Sequence, residues 1–122
     1  GTITPVRASL AWEVVENAIA AATEDPRFLP VRPEELPNLT VSIDILSEPE
    51  VIRNVEELDP KQYGVIVSKG NWRGVLLPDL EGITLASQQI QIAAQKAGIT
   101  TLDGISISRF TVHRYPERED TP

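Results

Sequence analysis

From Ser9 to Glu24 the apolar residues Leu10, Ala11, Val14, Val15, Ala18, Ile19 and Ala22 recur at spacings of three and four. That period predicts an α-helix with one buried stripe. Ser9 is placed to cap its start, and Glu13 in the first turn suits the positive end of the helix dipole. Pro26 ends it, because the proline ring pushes Asp25 out of helical backbone space. Residues 26–38 hold Pro26, Pro30, Pro33 and Pro37 and read as an irregular connection, with one helical turn at Pro33-Glu34-Glu35-Leu36.

The period then changes. Leu39, Val41, Ile43 and Ile45 alternate with Thr40, Ser42 and Asp44, which predicts a strand with one wet face. Residues 47–61 are acidic and turn-rich, a surface excursion with a short helix near Val55 to Leu58. Gly64 to Ser68 and Trp72 to Leu77 are strand-like runs around Gly70-Asn71. A glycine first in a two-residue loop predicts a type II′ hairpin. Thr84 is a natural cap for a second helix, striped by Leu85, Ile90, Ile92, Ala93 and Ala94 and closed by Lys96-Ala97-Gly98. In the last strand, Ile105 to His113, the pair Ile105 and Ile107 is out of phase with Phe110 and Val112. A β-bulge at Ser108-Arg109 would put all four on one face.

The element order is helix, strand, hairpin, helix, strand. This predicts an α+β fold, a largely antiparallel sheet with two main helices. No internal repeat and no interdomain linker occurs, and 122 residues suit one domain.

Composition narrows the function classes. An apolar fraction of 41% and a charged fraction of 24% are those of an ordinary soluble protein. The longest purely apolar stretch, Ala18 to Ala22, is far too short to span a bilayer, and no signal-peptide pattern opens the chain. The expectation is a cytoplasmic protein with no membrane partner. The absence of cysteine removes disulfides, thiolate nucleophiles and sulfur metal sites within these residues. A net charge of −7, from 18 acidic and 11 basic residues, opposes phosphate binding and predicts no nucleic-acid partner.

The candidate chemistry is sparse. His113 is the single histidine, and without a second His or Cys it completes neither a transition-metal site nor a nucleophile–base pair. It reads most simply as a solvated strand residue. Asp79 and Glu81 flank a turn before a helix. Paired carboxylates can hold a hard cation or transfer protons, but acids here complement the helix dipole without any catalytic duty, which is the simpler reading. Lys69, Trp72 and Arg73 at the hairpin tip could grip an anion, but charge protecting a sheet edge accounts for Lys69 and Arg73, and a place in the core accounts for Trp72. Arg27 has two readings. Asp25 could pair with it at the surface, or Phe28 could pack into the core and hold its planar fork at a cleft for a carboxylate or phosphate. No phosphate loop, dinucleotide fingerprint or zinc spacing occurs, so no cofactor is expected.

Asp25-Pro26-Arg27-Phe28, Glu35-Leu36, Val41-Ser42-Ile43, Leu77-Pro78 and Lys96-Ala97-Gly98, in that order, resemble the AMMECR domain family. The segment Leu77-Pro78-Asp79-Leu80-Glu81-Gly82 is similar to the prokaryotic branch in particular. That branch is encoded beside a Memo-like protein and a radical S-adenosylmethionine protein. The resemblance makes residues 1–116 a single AMMECR-like domain and 117–122 a frayed tail. The family hallmark is a Leu-Arg-Gly-Cys-Ile-Gly segment, and Gly1 matches its final glycine, with Thr2 continuing it. The resemblance therefore implies a domain lacking its N-terminal portion, whose place in the sheet is left unpaired or filled by another chain. It names Gly1, Thr2, Asp25 and Arg27 as ligand-binding candidates, with no catalytic residue assigned. Three roles follow from it: a binding subunit working with Memo-like and radical S-adenosylmethionine partners, an enzyme using the hallmark cysteine with Arg27 as anion-orienting residue, or a structural adaptor.

Overall fold

Helix α1 runs from Leu10 to Thr23, and its start is chemical: the Ser9 side chain accepts a hydrogen bond from the Trp12 N–H. The structure is a computed structural model and describes residues 1–117. It divides into two units: residues 1–43 with 115–117, and residues 44–114.

In the first unit α1 is followed by a 3₁₀ turn, Pro33–Asn38, with proline at its first position as the sequence predicts. The expected buried stripe is not found. Glu13 is the helix's buried residue, whereas Leu10, Trp12, Val15 and Ile19 are all exposed. Periodicity reports that a helix has a face able to be buried; it does not report that the chain supplies the cover. Phe28 departs in the same way. It is 70% exposed and anchors no core.

Strand β1 (Ser42–Leu46) carries the chain out of the first unit, and β6 (Val112–Pro116) returns it; the two form a two-stranded sheet. Both predicted faces of β1 are at most half-buried. Within the first unit the Glu117 N–H donates to the Val41 carbonyl at 2.9 Å, and the Val41 N–H to Glu117 Oε2 at 3.0 Å. Glu117 is thus tied to a strand end, while the rest of the expected frayed tail, 118–122, lies outside the described residues.

The second unit is a four-stranded antiparallel sheet in the order β2 (Glu50–Val51), β5 (Ser106–Phe110), β3 (Gly64–Lys69), β4 (Trp72–Leu76), covered on one face by α2 (Ala86–Ala97). Lys69 pairs with Trp72 across Gly70-Asn71, and Gly70 has φ +59°, as a glycine-first hairpin loop requires. Val65, Val67 and Leu76 meet Ile90, Ala93 and Ala94 in the core.

Three local expectations are corrected here. The second helix starts one residue late: Leu85 occupies the cap position, and the Gln88 side chain accepts from the Thr84 and Leu85 N–H groups, so Thr84 does not cap it. No bulge interrupts β5, whose register with β3 runs unbroken from Ser106–Ser68 to Phe110–Gly64. The phase change has another cause. Ile107 packs toward the α2 core, Phe110 alternates to the other face, and both faces of β3 are buried. Trp72 at the hairpin tip is exposed, not core. The two-residue strand β2 inside the acidic excursion carries no period to find it by.

Candidate functional site

Glu13 organises the polar centre of the first unit. It lies in the first turn of α1, at 5% exposure, and its Oε1 accepts from the backbone N–H groups of Val6 and Arg7. Oε2 accepts from the Thr2 hydroxyl at 2.7 Å and from Arg7 Nη1 at 3.2 Å. Asn17, one turn further along, donates to Thr2 Oγ1 at 3.0 Å. A buried carboxylate is tolerated only when its lone pairs are filled this thoroughly. The Thr2 hydrogen bond is the largest influence on Glu13, and with the Val6, Arg7 and ion-pair contributions it outweighs burial and holds the carboxyl at about 2, below its ordinary 4.5.

That shift has a sign. A carboxylate whose folded value is depressed contributes stability above pH 4.5 and loses it progressively as the pH falls toward about 2. Wild-type protein is therefore expected to lose melting temperature across this acid range more steeply than Glu13→Gln. Parallel curves for the two proteins would show that Glu13 is not the acid-sensitive group.

The second cluster follows the end of α1. Asp25 accepts from Arg27 at three points: the backbone N–H at 3.0 Å, Nε at 3.0 Å and Nη2 at 2.7 Å. The Arg27 side-chain hydrogen bond is the main reason Asp25 sits at about 2, and the Arg27 backbone N–H and charge act in the same direction. The Arg27 side chain is 79% exposed, and its guanidinium lies 5.6 Å from the centre of the Phe28 ring. The sequence left a surface pair and a cleft open as readings of Arg27. The geometry has the pair, and no core-anchored Phe28 stands behind a cleft.

The four sequence candidates are thus distributed between two neighbouring roles. Thr2 belongs to the Glu13 cluster, Asp25 and Arg27 pair with each other, and Gly1 is exposed. Sequence reasoning assigned Glu13 a dipole role and missed its function as a hub. Its shorter bonds come from donors 6, 7 and 11 residues away, outside any local motif, and the local i,i+4 donor Asn17 adds a longer bond of 3.4 Å. Among the described residues no group of three His, Cys, Asp or Glu side chains is arranged to hold a metal ion. No helix among them is long and apolar enough to cross a membrane.

Around these clusters lies an apolar surface. Trp12, Val15 and Ile19, at spacings of three and four, run along one exposed face of α1, with Trp12 at 59% exposure. Phe28 and Leu29 just beyond the helix are exposed as well. Monomeric proteins seldom leave so many large apolar side chains open to water unless the surface is used.

Comparison with known proteins matches residues 1–116 to the AMMECR1 family. A protein of Thermotoga maritima is 56% identical over 116 residues, which are 94% of this chain and 67% of that protein. A Clostridium acetobutylicum protein is 46% identical over 117 residues, 96% of this chain but 25% of the longer protein. Among solved structures, the uncharacterised protein PH0010 from Pyrococcus horikoshii superposes with a TM-score of 0.82 at 29% identity, covering 94% of this chain and 62% of that one. The chain therefore spans from a quarter to two thirds of the length of these relatives.

Proposed function

We propose that this chain, which belongs to the AMMECR1 family, is a binding subunit that docks a protein partner through the exposed apolar face of α1. The observation that carries this reading is the exposure of Trp12, Val15 and Ile19 along one helix face. An amphipathic helix whose apolar side faces water is a ready docking element, and aromatic side chains such as Trp12 and Phe28 commonly dominate such interfaces. The likeness of Leu77-Pro78-Asp79-Leu80-Glu81-Gly82 to the prokaryotic branch supports a Memo-like protein as the partner, within a system that includes a radical S-adenosylmethionine protein. Residues 1–116 act in this reading as one functional domain.

The enzyme reading draws less support. It needs the Arg27 fork to orient an anion, and that fork already gives Nε and Nη2 to Asp25.

Calorimetric titration with the Memo-like protein of the same genome tests the proposal. Ile19→Asp is expected to weaken the complex by about thirtyfold while leaving the melting temperature unchanged, because Ile19 is already exposed. Unchanged affinity in Ile19→Asp and Trp12→Ala would overturn it. So would a longer relative whose additional chain covers the equivalent helix, which would assign the face to packing within one polypeptide.

A further inference from the structure

A groove of about 340 Å³ opens in the second unit. Its polar lining comes from three chain segments: Asp44 and Arg114 on the β1 and β6 strands, Lys61 and Gln62 before β3, and Asp79 after β4. Leu77, Pro78, Leu80 and Val112 supply its apolar wall.

The charges in this groove are arranged unequally. Arg114 and Asp44 form a bidentate pair, Nε to Oδ1 at 2.7 Å and Nη2 to Oδ2 at 2.9 Å. That hydrogen bond, with the Arg114 charge, holds the Asp44 carboxyl below its ordinary value, so the two charges cancel over the usual pH range. The pair fixes the guanidinium plane and leaves Nη1 as a donor that Asp44 does not use. Lys61 and Asp79, by contrast, make no ion pair with each other or with any other described side chain, although both line the groove.

Backbone hydrogen bonds fix both segments. The Lys61 N–H donates to Asp59 Oδ1 at 3.0 Å, an Asx turn that fixes the backbone at the lysine. Asp79 has φ +59°, the one left-handed residue other than glycine among those described. Its N–H donates to the Pro60 carbonyl at 2.8 Å, which ties the strained residue to the Lys61 segment. Left-handed non-glycine residues are uncommon, and they concentrate where surrounding structure holds a side chain for a ligand.

A groove with an open positive pole, an open negative pole and a neutral, rigid pair between its strands complements a ligand carrying both charges. A simple anion would gain Lys61 and meet Asp79; a simple cation would meet the reverse. We propose that this groove binds a small zwitterion, a compound bearing one carboxylate and one ammonium. Lys61 and Arg114 Nη1 hold the carboxylate, and Asp79 accepts hydrogen bonds from the ammonium. The proposal is independent of the docking face on α1 and stands or falls without it.

The test is a titration of ¹⁵N-labelled full chain followed by amide chemical shifts. The zwitterionic probes are L-leucine and 6-aminohexanoate, which differ in the separation of their charges; hexanoate and hexylamine are the single-charge controls. At least one zwitterion is expected to shift the Lys61, Gln62, Asp79 and Leu80 amides saturably at millimolar concentration, at least tenfold more tightly than either control. Lys61→Met and Asp79→Asn are each expected to weaken that binding by about tenfold, the loss of one charge-assisted contact, with melting temperatures retained. Asparagine tolerates the left-handed backbone, so Asp79→Asn separates charge from fold. Equal binding of a zwitterion and a single-charge control, or no saturable shift with either zwitterion, would overturn the proposal.

Discussion

Gly74→Ala is expected to destabilise the sheet-and-helix unit by more than about 3 kcal/mol, a larger effect than any surface change in this chain. The reason is the distance between β4 and α2. A Cβ built on Gly74 would lie 1.8 Å from the Ala93 carbonyl oxygen, 2.8 Å from its carbon and 3.1 Å from the Ala97 Cβ. The first two are backbone atoms and cannot rotate aside, so the whole helix would have to lift. Lifting it would open the contacts of Val65, Val67 and Leu76 with Ile90, Ala93 and Ala94. It would also strain the bond from Lys96 Nζ to the Val75 carbonyl, 2.7 Å long. Denaturant unfolding should show the midpoint falling, and thermal unfolding a drop on the order of 10 °C. A midpoint within error of wild type would mean that α2 does not pack this closely.

Phe110→Ala should cost about 4 kcal/mol, from lost burial and the cavity left behind. The ring is 1% exposed and lies over Gly64, its direct partner across the β3–β5 ladder. A Cβ on Gly64 would meet the ring at 2.3 Å and the Leu76 carbonyl oxygen at 2.7 Å, so the glycine is the seat that the aromatic occupies. Neighbouring side chains cannot fill the space from that side. Phe110→Leu, which keeps most of the volume, should cost less than half as much. If both variants unfold at the same denaturant midpoint as wild type, Phe110 is not a core residue.

These two effects show where the sequence was readable. Gly98 was legible as a left-handed cap and has φ +75°. The hairpin around Gly70-Asn71 and the helix capped by Ser9 were equally legible, because short-range sterics and hydrogen bonds decide them. The out-of-phase pair Ile107 and Phe110 was seen but misassigned. Alternation records which residues want burial, and a strand covered on both faces looks like a bulged strand covered on one. Gly74 looked like an ordinary strand glycine until α2 was placed above it.

The candidate sites divide in the same way. The Asp25–Arg27 pair is two residues apart and could be read as one of two options from the chain alone. The Glu13 hub and the groove could not, since their members lie up to 15 and 70 residues apart. Asp79 stood out before its helix, yet its left-handed backbone and its bond to Pro60 are properties of the folded loop.

What the sequence determined by itself is the two helices, the central hairpin, the α+β class and the family likeness, all carried by local periodicity, turn chemistry and ordered short motifs. Tertiary structure alone decided which apolar faces are covered, which charges meet and which do not. Covering a face or pairing a charge depends on what other segments bring to it, and that is a matter of distance in space, which the spacing of residues along a chain does not contain.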